Sequence, residues 1–119
     1  MQTRQQAIDH CLTLAQSYED YPFRDSGWTV IRHEQNRKIF AWIFERQGHI
    51  WINVKATPEL IDILRQEHES VIPAYHLNKD HWNSIILDGS IPEEDIYDMI
   101  YHSYTLTLPR IRKPAKEKK

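Results

Sequence analysis

Cysteine, which can cross-link a fold, and glycine, which weakens helices and strands, are both rare. The 119 residues include one cysteine and three glycines. The single cysteine, Cys11, excludes an intrachain disulfide. It lies in an apolar helical pattern with Ile8 and Leu12, where we expect a buried and inert thiol. No run of about 18 apolar residues is present, so the sequence predicts no membrane-spanning helix. The first residues also lack the apolar core of a signal peptide, and we therefore expect a cytoplasmic protein.

Charge is distributed unevenly, although the net charge is only −2. Residues 1–109 carry 9 basic and 16 acidic side chains, a balance of −7, whereas residues 110–119 carry six basic side chains and one acidic side chain. An acidic body repels phosphate backbones at long range. We expect one domain over residues 1–109. The basic tail over 110–119 contains proline and has no apolar periodicity, so we expect it to be disordered.

Hydrophobic periodicity predicts both helices and strands. Apolar residues spaced three and four apart indicate helices, and short β-branched or aromatic runs between polar turns indicate strands. Thr57 and Pro58 form a strong helix start. The predicted elements, in chain order, are a helix at 4–18, strands at 28–33, 38–45 and 50–55, a helix at 57–69, an extended segment at 71–73, a strand at 84–87 and a helix that opens at 90–92.

This order predicts the α+β class, with an antiparallel sheet and helices packed on one face. Strands joined by short turns pair in sequence, and the flanking helices cover the sheet. We expect the opposite face to be partly open to solvent. Trp51, Asn53 and Lys55 alternate with apolar residues and are the predicted occupants of that open face, together with one of Trp28 or Trp42.

The most unusual stretch is residues 75–83, which combine two histidines, two asparagines, Lys79, Asp80 and Trp82. Turns are usually built from Gly, Pro, Ser, Asn and Asp, because each of these residues favours a backbone conformation or a side-chain to backbone hydrogen bond that turns require. Histidine and tryptophan have neither property. Their presence therefore indicates either a packing role or a functional one.

Five segments can be compared with known families: Tyr21-Pro22-Phe23, Thr57-Pro58-Glu59-Leu60, residues 72–83, residues 87–92 and Ser103-Tyr104. In these segments the sequence resembles the MmcQ/YjbR family of small bacterial proteins. The resemblance covers roughly residues 5–108. It implies a fold similar to that of CyaY (frataxin) and a double-wing DNA-binding arrangement.

The first functional hypothesis is a nucleic-acid-binding module, supported by the resemblance and by the side chains of the 75–83 segment. Lysine can contact phosphate, asparagine can bond to base edges, and tryptophan can stack on an unpaired base. The candidate nucleic-acid-binding residues are Lys79, His76, Asn78, His81 and Trp82, with Lys55, Arg37 and Lys38 as further phosphate contacts. Because the body of the domain is acidic, we expect weak, salt-sensitive binding to DNA by a monomer.

The alternative hypothesis is a small-ligand or protein-interaction module that uses the same His76–Trp82 segment. Individual residues of the segment can instead have a purely structural role. Asn78 and Asp80 can shape a turn through side-chain to backbone bonds, and Trp82 can anchor the loop to the core.

We expect the protein not to be an enzyme. No Ser/His/Asp or Cys/His arrangement can be assembled from the sequence, so no catalytic residue is predicted. The spacing of His76 and His81 does not match a usual zinc pair, and CxxC and HExxH motifs are absent. The sequence therefore predicts no metal ligands and no cofactor.

Overall fold

The structure is a computed structural model that describes residues 1–24 and 27–110. The predicted basic tail lies outside the described residues except for Arg110. The elements in chain order are α1 (Arg4–Leu12), β1 (Ser17–Asp20), β2 (Thr29–His33), β3 (Ile39–Arg46), β4 (His49–Lys55), α2 (Pro58–Glu67), β5 (Val71–Pro73), β6 (Trp82–Ile86) and α3 (Glu93–Leu106).

The strands form one antiparallel sheet in the order β1-β2-β3-β4-β6-β5. The first four strands pair in sequence, and β6 then pairs with both β4 and β5. Gln47 and Gly48 close the β3–β4 hairpin with φ values of 55° and 82°. Positive φ at both positions is typical of the tight turn that matches the twist of antiparallel strands. The predicted α+β class with an antiparallel sheet is confirmed.

The first helix is shorter than predicted, and a strand follows it. Thr3 Oγ1 accepts a bond from Gln6 N at 3.1 Å, and the Gln6 side chain bonds back to Thr3 N, which starts α1 as a capping box. The helix ends at Leu12, although the apolar spacing continues to Ala15. Gln16 then has a φ of 54°, and β1 pairs with β2. Pairing with a distant strand therefore determines the structure of residues 17–20.

The main core lies between the helices and one face of the sheet. α1 packs against β1, β2 and β3, α3 packs against β3 and β4, and α2 packs against β5 and β6. Cys11 is fully buried in this core, and burial raises the pKa of its thiol to about 12. Other fully or almost fully buried members are Ala7, Ile8, Ile31, Phe40, Ile43, Ile52, Val54, Val71, Ile85, Leu87, Ile96 and Ile100. Among the described helices, none is long and apolar enough to cross a membrane.

A buried histidine joins β2 to the end of α3. The ring of His33 lies 5.0 Å from that of Phe40 and 4.7 Å from that of Tyr104. Its Nε2 is 2.7 Å from Thr107 Oγ1, and the side-chain amide of Asn36 donates to Thr107 O at 2.9 Å. Desolvation by burial lowers the pKa of His33 from its ordinary value.

Stability should therefore fall in mildly acidic solution. The pKa of an unfolded histidine is about 6.5, so below that pH the unfolded chain binds a proton that folded His33 still resists. The free energy of unfolding then decreases as the pH falls from about 7.5 towards 5. We expect His33→Phe to remove this part of the pH dependence, because phenylalanine does not titrate.

Urea unfolding of both proteins at about pH 7.5, 6.5 and 5.5 tests this prediction. His10, whose pKa is also lowered by burial, contributes equally to both proteins. Parallel stability curves for the two proteins would show that His33 makes no contribution.

Candidate functional site on the second face of the sheet

The sheet face turned away from the helices is covered, which corrects the prediction of an open face. Trp51 and Asn53 are only 3% and 0% exposed, and Lys55 is half-buried. Trp28 and Trp42 are both half-buried as well. The cover comes from the segment before β2 and from the loop between β5 and β6, whose rings contact those of the sheet. Neither segment has a regular periodicity from which this cover could have been predicted.

The rings on this face form a continuous aromatic layer. Trp28 stacks on Phe44 with ring centroids 4.1 Å apart, and Phe44 lies 5.8 Å from both Trp51 and Tyr75. The guanidinium of Arg46 lies 4.2 Å from the Tyr75 ring, close enough for a cation–π contact. The layer consists of Phe23, Trp28, Trp42, Phe44, Trp51, Tyr75 and His76.

Two indole N–H groups in the aromatic layer lack hydrogen-bond partners among the described residues. These are Nε1 of Trp42 and Nε1 of Trp51, and both atoms are buried. An unsatisfied buried donor costs about 1–3 kcal/mol. A layer selected for stability alone would favour phenylalanine at these positions, since its ring carries no donor.

Buried polar groups in the centre of the sheet hold the β5–β6 loop over the aromatic layer. Asn53 Nδ2 donates to Tyr75 O at 2.9 Å, and Tyr75 N donates to Ser84 Oγ at 2.9 Å. The hydroxyl of Ser84 donates to Asn53 Oδ1. Because Asn53 and Ser84 are fully buried, these bonds satisfy groups that would otherwise be costly in the interior. They fix Tyr75 directly above the sheet.

Arg65 of α2 holds the other end of the same loop. Its Nε donates to Asn83 Oδ1 at 2.6 Å, and its Nη2 donates to the main-chain oxygen of Lys79. Asn83 Nδ2 in turn donates to Ile61 O at 3.2 Å. Arg65 is not among the residues predicted from the sequence. Its spacing could have identified it, because Arg65 lies four residues after the buried Ile61 and therefore on the same face of α2.

Asn78 shapes the tip of the loop. Its Oδ1 accepts a bond from Asp80 N at 2.7 Å, and its main-chain oxygen accepts bonds from His81 N and Trp82 N. This pattern is the side-chain turn that asparagine commonly forms. His76, just before the turn, has a φ of 68° in the left-handed region.

Lys79 and His81 lie on the α2 side of the loop. Both are exposed, and they line a shallow concavity of about 370 Å³ together with Asp62 and Asp80. Asp62 pairs with Arg65, which also lines this concavity, and Asp80 partly offsets the charge of the lysine. His76 lies elsewhere, so the structure separates residues that are close in sequence.

His76 contributes to an aromatic cleft in the cover of the second face. The aromatic cleft is lined by Phe23, Trp28, Trp42, His76 and Leu77 and has a volume of about 410 Å³. Phe23 is 47% exposed at its rim. The rings of Phe23 and Trp42 are nearly parallel, with centroids 5.9 Å apart, whereas Trp28 meets Trp42 edge-on.

Arg37, Lys38, Lys55 and Trp82 come together in a third cavity, the basic concavity, of about 360 Å³. Arg37 and Lys38 reach it from the β2–β3 hairpin, and Lys55 and Trp82 reach it as directly paired residues of β4 and β6. Arg32 also lines it, but its Nε forms an ion pair with Asp20 Oδ2 at 2.8 Å. The lining is Arg32, Arg37, Lys38, Ile39, Trp42, Lys55, Trp82 and Thr107. No Asp or Glu of the described chain is among these residues.

Metal coordination finds no support in the geometry of residues 1–24 and 27–110. Within those residues, no group of three or more His, Cys, Asp or Glu side chains is placed to hold a metal ion. His68 of α2 and Asp95 of α3 form a pair of possible ligands, with Nε2 and Oδ2 3.6 Å apart, but no third such side chain joins them among these residues.

The fold defines a class of small α+β proteins in which three helices cover one face of a six-stranded antiparallel sheet. Residues 12–106 match the model of the family described as YjbR. The chain therefore belongs to the YjbR family, and the resemblance in the sequence is confirmed.

Relatives and solved structures agree with this assignment. The chain is 34% identical over 118 aligned residues to the uncharacterized protein YyaQ of Bacillus subtilis, covering 90% of this chain and 99% of that protein. It is 38% identical over 79 residues to the uncharacterized protein YjbR of Escherichia coli K12, covering 66% of this chain and 67% of that protein.

Two crystal structures have the same fold. A Deinococcus radiodurans protein with a DUF419 domain has a TM-score of 0.83 at 32% identity, covering 99% of this chain and 87% of that one. A Pseudomonas syringae protein has a TM-score of 0.79 at 30% identity, covering 89% of this chain and 99% of that one.

The Arg65 contacts predict a specific loss of stability. Arg65→Lys keeps the charge but removes the planar fork that donates to Asn83 and to the Lys79 carbonyl at once. We expect the free energy of unfolding to decrease by about 1–3 kcal/mol, because the buried amide oxygen of Asn83 loses its donor. Urea unfolding measures this change.

Lys79→Ala is the matched control. Its side chain is exposed and only its main-chain oxygen accepts the bond from Arg65, so stability should stay within about 0.5 kcal/mol of the original. If Arg65→Lys were as stable as the unchanged protein, the loop would have to be held without the guanidinium fork.

Proposed function

We propose that this protein is a non-catalytic nucleic-acid-binding module that works as a monomer in the cytoplasm and binds through the basic concavity. The observation that carries the proposal is the composition of that concavity. Four cationic side chains and two half-buried tryptophans line it, and no Asp or Glu of the described residues does. Cationic side chains beside stacking surfaces are the usual means of holding nucleic acid without sequence preference.

Three of the cations are available for phosphate. Arg37 and Lys38 are exposed, Lys55 is half-buried, and none of them forms an ion pair with a carboxylate among the described residues. Arg32 is already paired with Asp20 and contributes less free charge. The acidic balance of residues 1–109 opposes the approach of a polyanion, so binding depends on this local cluster.

The tryptophans supply the second part of the interaction. Trp82 and Trp42 line the same concavity as the cations and are both half-buried, so each exposes part of its ring. Stacking of a base on an aromatic side chain contributes about 1–3 kcal/mol and tolerates any base. The tryptophan rings therefore favour nucleic acid over a small anion as the ligand, because a small anion has no base that could stack on them.

The proposal keeps the DNA binding implied by the MmcQ/YjbR resemblance but moves its centre. The sequence predicts a centre formed by Lys79, His76, Asn78, His81 and Trp82. Of these, Lys79 and His81 lie beside Asp62 and Asp80 on the α2 side of the loop. We therefore propose Lys55, Trp82, Arg37 and Lys38 as the principal contacts, with Lys79 and His81 outside them.

Binding to nucleic acid should depend on salt with a slope set by these cations. Three phosphate contacts predict a slope of log K against log salt of about −2 for a single strand. The double variant Arg37→Ala/Lys38→Ala should reduce that slope to about −0.7, since each cation removed takes away one released counterion. Fluorescence anisotropy with labelled single-stranded and duplex DNA, from about 50 to 300 mM salt, measures both slopes.

Two further proteins make the result decisive. Lys79→Ala removes one positive charge outside the proposed contacts and should leave the slope unchanged. A chain ending at Pro109 lacks the basic tail and should keep the dependence on Arg37 and Lys38. Binding that disappears with the tail, or that responds to Lys79→Ala instead, would contradict the basic concavity as the site.

A further inference from the structure

We infer that the basic concavity and the aromatic cleft act together as a two-part site for one unpaired nucleotide. The base would stack in the aromatic cleft while the adjoining phosphates lie in the basic concavity. This inference rests on the proposed function and deepens it, because it names single-stranded nucleic acid as the ligand.

The two cavities share a wall. Trp42 of β3 lines both the aromatic cleft and the basic concavity. Within the cleft, Phe23 lies nearly parallel to Trp42 at an interplanar angle of 13°, and Trp28 stands at 88° to Trp42. The cleft is therefore bordered by two nearly parallel rings and by a third ring that stands almost at a right angle to Trp42, and their exposed parts offer aromatic surface to a planar ring.

The size and position of the aromatic cleft favour an unpaired base. Its volume of about 410 Å³ is at the lower end of the range of small-molecule sites. A base in a duplex is stacked on both sides and paired at its edge, so it must first leave the helix before it can enter such a cleft. A base in a single strand is unpaired, so it can enter the cleft without the free-energy cost of breaking a base pair.

Cations line both cavities that adjoin the cleft. Through Trp42 the cleft adjoins the basic concavity with Arg37, Lys38 and Lys55. Through Phe23 and Trp28 it adjoins a cavity of about 520 Å³ that is lined by Arg24 and by Arg4, whose guanidinium also donates to Thr29 Oγ1 and Ile43 O. The described lining of all three cavities includes no Asp or Glu. This alternation of cation, ring and cation matches the order of phosphate, base and phosphate along a strand.

His76 adds a polar group at the rim of the cleft. It is exposed, and its ring centroid lies 6.4 Å from that of Trp28. An imidazole carries a donor and an acceptor nitrogen in its neutral form, so it can bond to the edge of a stacked base. In this arrangement the base edges, rather than the phosphates, determine any preference among nucleotides.

The inference is tested with the full chain and three labelled ligands of equal length. These are an oligothymidylate of about 12 residues, the same backbone with abasic residues throughout, and the duplex of the oligothymidylate with its complement. We expect the oligothymidylate to bind about 5- to 100-fold more tightly than the abasic strand, the factor that stacking of one base provides. The duplex should bind more weakly than the oligothymidylate.

Phe23→Ala is the decisive variant, since its side chain is 47% exposed and its removal leaves the core intact. It should reduce the preference for thymidylate over the abasic strand several-fold, because Trp42 and Trp82 remain available for stacking, while affinity for the abasic strand and the salt slope stay unchanged. Tyr101→Ala is the matched control, because Tyr101 is an aromatic residue of α3 that is 55% exposed and lies outside all three cavities.

The outcomes separate the inference from the function on which it rests. Equal affinity for oligothymidylate and abasic strand, or tighter binding of the duplex, would overturn the two-part site and leave phosphate binding by the basic concavity standing. A Phe23→Ala protein that keeps the full preference for thymidylate would also overturn it. Failure of all three ligands to bind would overturn the proposed function itself.

Discussion

The hydrogen bonds of the buried Asn53 amide are the constraint on which the rest of the second face depends. Asn53 lies in the middle of β4 and joins Ser84 of β6 to the main chain at Tyr75. A buried amide must find partners for its donors and acceptor, and these partners are available only if the β5–β6 loop turns back over the sheet. The loop then carries Tyr75 and His76 onto the rings of the sheet. Without this constraint the part of the face beneath the loop would be open, as strand alternation predicts, and only Phe23 and Trp28 would cover the rest.

The strand register converts this arrangement into a surface with a charged part and an aromatic part. Lys55 and Trp82 are direct partners across β4 and β6, and Trp42 is opposite Asn53 on β3. Cation and ring are therefore fixed side by side on rigid strands, not on a loop. The hairpin that carries Arg37 and Lys38 is tied to the end of α3 through Asn36 and Thr107, which holds these cations near the same cavity.

Local patterns were sufficient for most of the fold, and long-range contacts explain the rest. The capping box at Thr3, the polar hairpin before β3 and the Thr57-Pro58 helix start are encoded by neighbouring residues, and each was predictable. The strand at 17–20 was not, because only pairing with β2 selects it over a continued helix. The candidate residues of the 75–83 segment were recognised by composition. Their separation into three groups depends on Arg65 and Asn53, which hold the loop from distant elements.

The outermost strands limit how this protein can associate with other chains. β1 has four residues and β5 has three, the last of which is Pro73 with no N–H to donate. Short edges and proline discourage the addition of a further strand, whether from a second copy or from an extended peptide. Recognition by main-chain pairing is therefore disfavoured at both edges of the sheet, and a partner has to be selected by side chains on its faces.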